Sequence, residues 1–127
     1  MSETVMDASA VLAAVRFERG HEVVLSITGT ACISAVNYAE VRSRLTDYGL
    51  SRDEIDDSLG FMPMEIVDFD AQQAVAASEL RSATRSAGLS LGDRACLALA
   101  MVRNAVALTA DRAWQKAEVP IQIEYVR

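Results

Sequence analysis

The fold is decided by residues 89–114, LSLGDRACLALAMVRNAVALTADRAW. The apolar run at 95–102 is too short to cross a membrane and indicates a buried helix. Residues 106–109, VALT, are typical of a buried strand. Asp93 and Asp111 lie beside these two apolar segments, close to the predicted core. Because burying an unpaired carboxylate is costly, acids in these positions require partners, and a bound cation is one such partner.

Length and composition place the chain among ordinary globular proteins. Its 127 residues, 51% of them hydrophobic, suit one domain spanning 1–127. The net charge of −6 and the lack of a basic tract argue against a broad cationic surface for nucleic acid. They do not exclude a nuclease whose acids are neutralised by metal. The sequence has neither a signal-peptide pattern nor an apolar run of membrane length, which predicts a cytoplasmic protein with no membrane contact.

Strand-like and helix-like segments alternate along the chain. Strands are predicted at 4–6, 31–33, 64–67, 105–109 and 121–125, and helices at 9–19, 21–28, 35–48, 51–59, 71–87, from 93 onward and at 111–116. Helix starts are indicated by Ser34, by Asp70 and by the capping box of Ser51 and Glu54. This alternation predicts an α/β fold, a parallel sheet of four to five strands covered by helices on both faces.

Four acids are predicted to meet at one edge of this sheet. Asp7 ends the first strand and Asp111 ends the fourth, while Glu40 lies on the helix after the second strand. With the first strand in the centre, these acids and Asp93 converge beyond the carboxyl ends of the strands. Gly92, just before Asp93, allows a close approach of the backbone. Oxygen ligands without a nearby histidine or thiolate select Mg²⁺ or Mn²⁺, and such a site supports phosphoryl chemistry.

A purely structural interpretation also fits the acids. Asp7, Asp93 and Asp111 all precede helices, where an N-capping side chain contributes about 0.5–2 kcal/mol. Glu40 is compatible with an exposed position in the middle of a helix. The residues considered one at a time leave both interpretations open.

The segments around the acids follow each other in a distinctive order. They are VMDASA at 5–10, ISAVNYAEV at 33–41, LSLGDRACLA at 89–98 and LTADRAW at 108–114, with the acids separated by 33, 53 and 18 residues. In this order and at this spacing they resemble the successive motifs of PIN-domain ribonucleases, in particular the VapC-type toxins of prokaryotic toxin–antitoxin pairs. The resemblance covers nearly the whole chain.

The resemblance implies a PIN-like three-layer α/β/α sandwich and an Mg²⁺- or Mn²⁺-dependent endoribonuclease. The catalytic cluster would be Asp7, Glu40, Asp93 and Asp111. Asp7 and Asp93 are the expected metal ligands, with Glu40 and Asp111 as further candidates. Ser9 matches a family hydroxyl position that orients a ligand or water. Asn37, one helical turn before Glu40, is expected to face the same cleft.

Basic residues near the motif acids are the expected RNA contacts. Arg94 and Arg112 directly follow Asp93 and Asp111 and are the main candidates. Trp114 is expected to pack under the last helix. The resemblance further implies an RNA substrate, a small cognate antitoxin that covers the site, and a homodimer of the toxin.

Two alternatives differ in function. A PIN fold that binds RNA or a partner without cutting would keep the architecture. A phospho-acceptor receiver-like domain would have paired acids at the end of strand one and a lysine after the last strand. Here Asp7 stands alone, and the last predicted strand leads only to Val126 and Arg127.

Overall fold

The computed structural model describes residues 3–127. Five strands form one sheet: β1 (Thr4–Met6), β2 (Ala31–Ser34), β3 (Glu65–Val67), β4 (Val106–Thr109) and β5 (Ile123–Tyr125). The helices are α1 (Ala8–Val15), α2 (His21–Ile27), α3 (Ala35–Asp47), α4 (Arg52–Gly60), α5 (Ala71–Glu79), α6 (Arg81–Thr84) and α7 (Leu91–Arg103). Short 3₁₀ helices follow at Thr28–Thr30 and Arg112–Lys116.

The sheet is entirely parallel, in the order β3-β2-β1-β4-β5. Strand β1 is central, with Val5 level with Cys32 of β2 and with Ala107 of β4. One apolar core packs α1 and α3 against one face, and a second packs α7 against the other. The predicted α/β architecture, with the first strand between the second and the fourth, is therefore confirmed.

The buried side chains explain why the central strands form. Both β2 and β4 are buried along their whole length, as expected for parallel strands covered on two faces. Trp114 is completely buried in the second core, which confirms its predicted packing role. The predicted caps at Ser34, Ser51 and Asp70 also form. Within residues 3–127, every helix is too short or too polar to span a membrane.

Two helix predictions are wrong in extent. The helix predicted at 9–19 ends at Val15, because Phe17 adopts a left-handed conformation with φ of 52°. The helix predicted at 71–87 is divided at Leu80 into α5 and α6. Beside this break the carbonyl of Leu80 accepts both the backbone N–H of Thr84 at 3.1 Å and the Thr84 hydroxyl at 2.8 Å, a pattern that often bends helices.

Candidate active site

One cavity collects all four predicted acids at the carboxyl edge of the sheet. It has a volume of about 490 Å³ and lies where β1 and β4 end. Its lining residues are Asp7, Ala8, Ser9, Leu12, Val36, Ala39, Glu40, Ser43, Arg44, Asp93 and Asp111. We call it the acid cavity. The structure thus brings together residues up to 104 positions apart in the chain, while their catalytic role stays a prediction.

Asp7 forms the floor of the acid cavity. Only 4% of the residue is exposed, and its Oδ2 accepts hydrogen bonds from the hydroxyls of Ser9 at 2.6 Å and Thr109 at 2.9 Å. Although Asp7 occupies the N-cap position of α1, its side chain makes no capping hydrogen bond. Burial raises the pKa of Asp7 to about 6, with added repulsion from Asp93 and Glu40, although the two hydroxyls act in the opposite direction.

The same two hydroxyls connect β1 to the segment after β4. The backbone N–H of Ala110 donates to the Ser9 hydroxyl at 2.9 Å, and that of Asp111 donates to the Thr109 hydroxyl at 3.0 Å. Asp7 and Asp111 are therefore held in a fixed relation through Thr109. Ser9 contacts Asp7, while its role in orienting a ligand or water stays a prediction. Sequence reasoning missed Thr109.

Glu40 is positioned by Asn37 and Gly92. The Asn37 side-chain amide donates to Glu40 Oε1 at 2.8 Å and to the carbonyl of Gly92 at 2.9 Å. A Cβ atom on Gly92 would lie 2.5 Å from Glu40 Oε2, so only glycine leaves room for the carboxylate in this position. Partial burial raises the pKa of Glu40; the Asn37 hydrogen bond opposes this rise, and Asp93 adds to it.

Asp93 and Asp111 cap helices and line the cavity at the same time. Asp93 is the third residue of α7, and its Oδ2 accepts from the backbone N–H of Ser90 at 2.9 Å in a capping box. The structural alternative in which Asp93 is the N-cap is wrong, because Ser90 takes that place. Asp111 caps the following 3₁₀ helix through Oδ1, which accepts from Ala113 N at 2.9 Å. The capping and cavity-lining interpretations are therefore compatible.

All four carboxylates share one feature. Each has one oxygen held by a protein donor, namely Asp7 Oδ2, Glu40 Oε1, Asp93 Oδ2 and Asp111 Oδ1. Among residues 3–127, no donor reaches the second oxygen of any of them, and none of the four belongs to an ion pair. Donors that fix one oxygen and leave the other free are characteristic of groups that orient metal-binding carboxylates.

The chemistry of this donor set fits a hard divalent cation. In the described part of the chain, no three Asp, Glu, His or Cys side chains are close enough together to enclose an ion by themselves. Mg²⁺ commonly uses only one or two carboxylates and completes its coordination with water and substrate phosphate. Burial and, to a lesser degree, the charge of Asp93 raise the pKa of Asp7, and a cation placed near these two carboxylates would offset both effects.

The structure corrects one of the two predicted RNA contacts. Arg94 is only 7% exposed, and its guanidinium donates to the carbonyl of Ala77 on α5 at 3.0 Å. Arg94 therefore packs α7 against α5 and is not available to bind RNA. Arg112 is exposed, with its guanidinium 4.6 Å from the ring centre of Tyr125, but it does not line the acid cavity. Its RNA contact stays a prediction, and Arg44 is the cation that does line the cavity.

Comparison with known proteins identifies the family. The family model described as "PIN domain" matches residues 4–120. The chain belongs to the PIN domain family. This assignment excludes the receiver-like alternative, and the five-stranded parallel sheet flanked by helices is the PIN fold. No curated protein matches the chain.

Solved structures similar to this PIN domain include several toxin–antitoxin complexes. DNA-bound VapBC from Salmonella typhimurium is 20% identical with a TM-score of 0.73, and the match covers 100% of both chains. VapBC2 from Rickettsia felis, bound to a DNA fragment from its promoter, is 18% identical with a TM-score of 0.72 and coverages of 97% and 98%. VapBC-5 from Mycobacterium tuberculosis is 20% identical with a TM-score of 0.68 and coverages of 100% and 99%. At these identities the similarity establishes the shared fold.

Proposed function

We propose that this PIN domain is a metal-dependent endoribonuclease that hydrolyses RNA phosphodiester bonds in the acid cavity. The observation that carries the proposal is the set of four carboxylates, each with one fixed and one free oxygen, around the buried Asp7. When bound there, Mg²⁺ or Mn²⁺ would supply the positive charge that activates water and neutralises the phosphate.

The residues of the chain have separate tasks in this proposal. Asp7 and Asp93 would hold the cation, and Glu40 and Asp111 would add ligands or orient water through their free oxygens. Ser9 and Thr109 keep Asp7 in a single orientation. Asn37 does the same for Glu40, as expected for a neighbour that fixes the geometry of a metal-binding carboxylate.

We also propose that the chain is the toxin of a toxin–antitoxin pair. The similarity to the VapBC complexes supports this proposal, since their chains share the fold over nearly their whole length. A small antitoxin would then be the partner that covers the acid cavity. From the resemblance to VapC-type toxins we further propose a homodimer that acts in the cytoplasm.

RNA cleavage by the purified, partner-free chain tests the nuclease proposal. A mixed RNA pool is incubated with Mg²⁺, Mn²⁺ or excess EDTA, and the Asp7→Asn and Asp53→Asn variants are assayed in parallel. We expect cleavage that requires metal and falls at least about 100-fold in Asp7→Asn, because a direct ligand contributes at least as much as its supporting groups. Asp53 is an exposed acid at the start of α4, so Asp53→Asn is the matched control and should cleave RNA at the wild-type rate.

Two results would contradict the nuclease proposal. Cleavage that persists in EDTA would exclude a metal-dependent reaction. Equal cleavage by wild type and Asp7→Asn would exclude the acid cavity as its location. A wild type that binds RNA without cleaving it under any condition would favour the alternative of a non-catalytic RNA-binding PIN fold.

A further inference from the structure

A second cavity continues the acid cavity towards the carboxyl terminus. It is lined by Ser9, Leu12, Arg16, Glu18, Arg44, Tyr48, Ala110, Asp111 and Arg127, and we call it the arginine groove. Four of these residues also line the acid cavity, namely Ser9, Leu12, Arg44 and Asp111. The two cavities are therefore contiguous, and a ligand chain can pass from one to the other without leaving the surface.

The sign of the charge changes along this path. Counted by side chains, the acid cavity has four carboxylates and one guanidinium, whereas the arginine groove has three guanidiniums and two carboxylates. The change occurs at Arg44 and Asp111, which belong to both cavities. A cationic groove beside a site for phosphodiester chemistry favours the polyanionic backbone that continues from the reacting group.

Two of the arginines are held in place by neighbouring side chains. Arg16 lies over the ring of Tyr48 at 4.5 Å, donates to its hydroxyl at 3.0 Å and pairs with Glu18 at 3.4 Å. Arg127 pairs with the same Glu18 at 3.4 Å and donates to the carbonyl of Arg19 at 3.1 Å. A guanidinium has five N–H donors, so both keep donors for a further acceptor.

Arg44 is the cation without such a partner. It is exposed on α3, one turn after Glu40, so both side chains lie on the face of the helix that lines the acid cavity. Among residues 3–127, no carboxylate lies within ion-pair distance of Arg44. Its charge is therefore available to a ligand that extends over both cavities.

We propose that the arginine groove binds the RNA phosphate next to the one that is cleaved, with Arg44 as the principal contact and Arg16 and Arg127 as its neighbours. This inference rests on the proposed nuclease function and specifies the direction in which the strand leaves the acid cavity. The contact is made to a non-reacting phosphate, so it contributes equally to substrate and transition-state binding.

Steady-state cleavage kinetics of Arg44→Gln test this contact. We expect KM to rise about tenfold, the effect of losing one charge-assisted contact, while kcat stays within about twofold. Arg52→Gln is the control, because Arg52 is an exposed arginine at the first position of α4 and lines neither cavity. An unchanged KM, or an equal rise in Arg52→Gln, would overturn the proposal; so would a fall in kcat alone, because it would place Arg44 at the reacting phosphate.

RNA binding by a cleavage-deficient protein separates this inference from the nuclease function. In an Asp7→Asn background, the affinity for a short single-stranded RNA is measured at several salt concentrations. Arg44→Gln should reduce the slope of log K against log salt by about 0.7, the value for one phosphate contact in a single strand. An unchanged slope would overturn the proposed phosphate contact in the arginine groove, even if the wild type cleaves RNA. A reduced slope would support it even if the wild type does not cleave, in which case only the nuclease proposal fails.

Discussion

Aspartate carboxylates lie both on the floor and on the rim of the acid cavity, but they have opposite effects on the stability of the fold. On the floor, Asp7 is almost completely buried and its side chain makes no capping hydrogen bond. Its raised pKa means that the ionised form destabilises the metal-free fold. On the rim, Asp93 and Asp111 accept backbone hydrogen bonds at helix starts, where a carboxylate is stabilising. Carboxylates that line the same cavity can therefore either stabilise or destabilise the fold.

Under the proposed function, this difference makes Asp7 the carboxylate that a bound cation would stabilise most. Asp93 and Asp111, on the rim, stabilise helix starts even when no ligand is bound, because their capping hydrogen bonds do not depend on it. An ionised floor acid is held by two hydroxyls alone, with Asp93 and Glu40 adding repulsion. A divalent ion beside Asp7 would remove both the repulsion and the unfavourable burial.

The largest expected effect on stability comes from neutralising the floor. The Asp7→Asn variant should be more stable than the metal-free wild type by about 3 kcal/mol at pH 7.5, because a pKa of about 6 replaces the ordinary value of 3.8. Urea denaturation in the presence of EDTA measures the difference. A variant less stable than the wild type at this pH would contradict the account of the floor.

The pH dependence of this difference has a defined sign. Since the pKa of Asp7 is higher in the folded than in the unfolded chain, the folded protein binds more protons between about pH 4 and 6. The contribution of Asp7 to wild-type stability is therefore lost as the pH rises through this window. The advantage of Asp7→Asn should shrink to less than about 1 kcal/mol at pH 4.

A smaller effect, of opposite sign, is expected at the rim. Asp111→Ala should lower the free energy of unfolding by about 1 kcal/mol, because the hydrogen bond to Ala113 N is lost. Asp111→Asn should change it by less than about 0.5 kcal/mol, because asparagine caps helices as well as aspartate does. Equal losses in the two variants, measured by the same urea denaturation, would show that the charge at the rim matters more than the cap.

The sequence predicts both the parallel sheet and the convergence of the four acids at its edge, for related physical reasons. The strands are short apolar runs, so their alternation with helices determines a parallel sheet, and the carboxyl ends of parallel strands meet at one edge. Asp7 and Asp111 end two adjacent strands and must therefore be neighbours. Gly92 and Glu40 are 52 positions apart, so their contact cannot be predicted from the sequence. A glycine at position 92 does indicate that another group approaches the backbone closely there.

The errors arise where the sequence does not determine which face a side chain occupies. Arg94 lies three and four positions before Leu97 and Ala98, on a helix that is buried on nearly all sides. The prediction that Arg94 is exposed rested on its charge alone and was therefore wrong. Thr109 was missed because it reads as the last residue of an apolar strand. The parallel register places it beside the end of β1, where its hydroxyl reaches Asp7.

A titration with Mn²⁺, followed by thermal denaturation of wild type, Asp7→Asn and Asp53→Asn, tests the central claim most directly. At a Mn²⁺ concentration one hundred times its Kd, the wild type and Asp53→Asn should gain about 2.7 kcal/mol of stability at pH 7.5, and Asp7→Asn should gain none. At pH 5 the wild-type gain should decrease, because protons then compete with the metal for Asp7. An equal gain in Asp7→Asn, or no gain in the wild type at pH 7.5, would contradict the claim that Asp7 holds the cation.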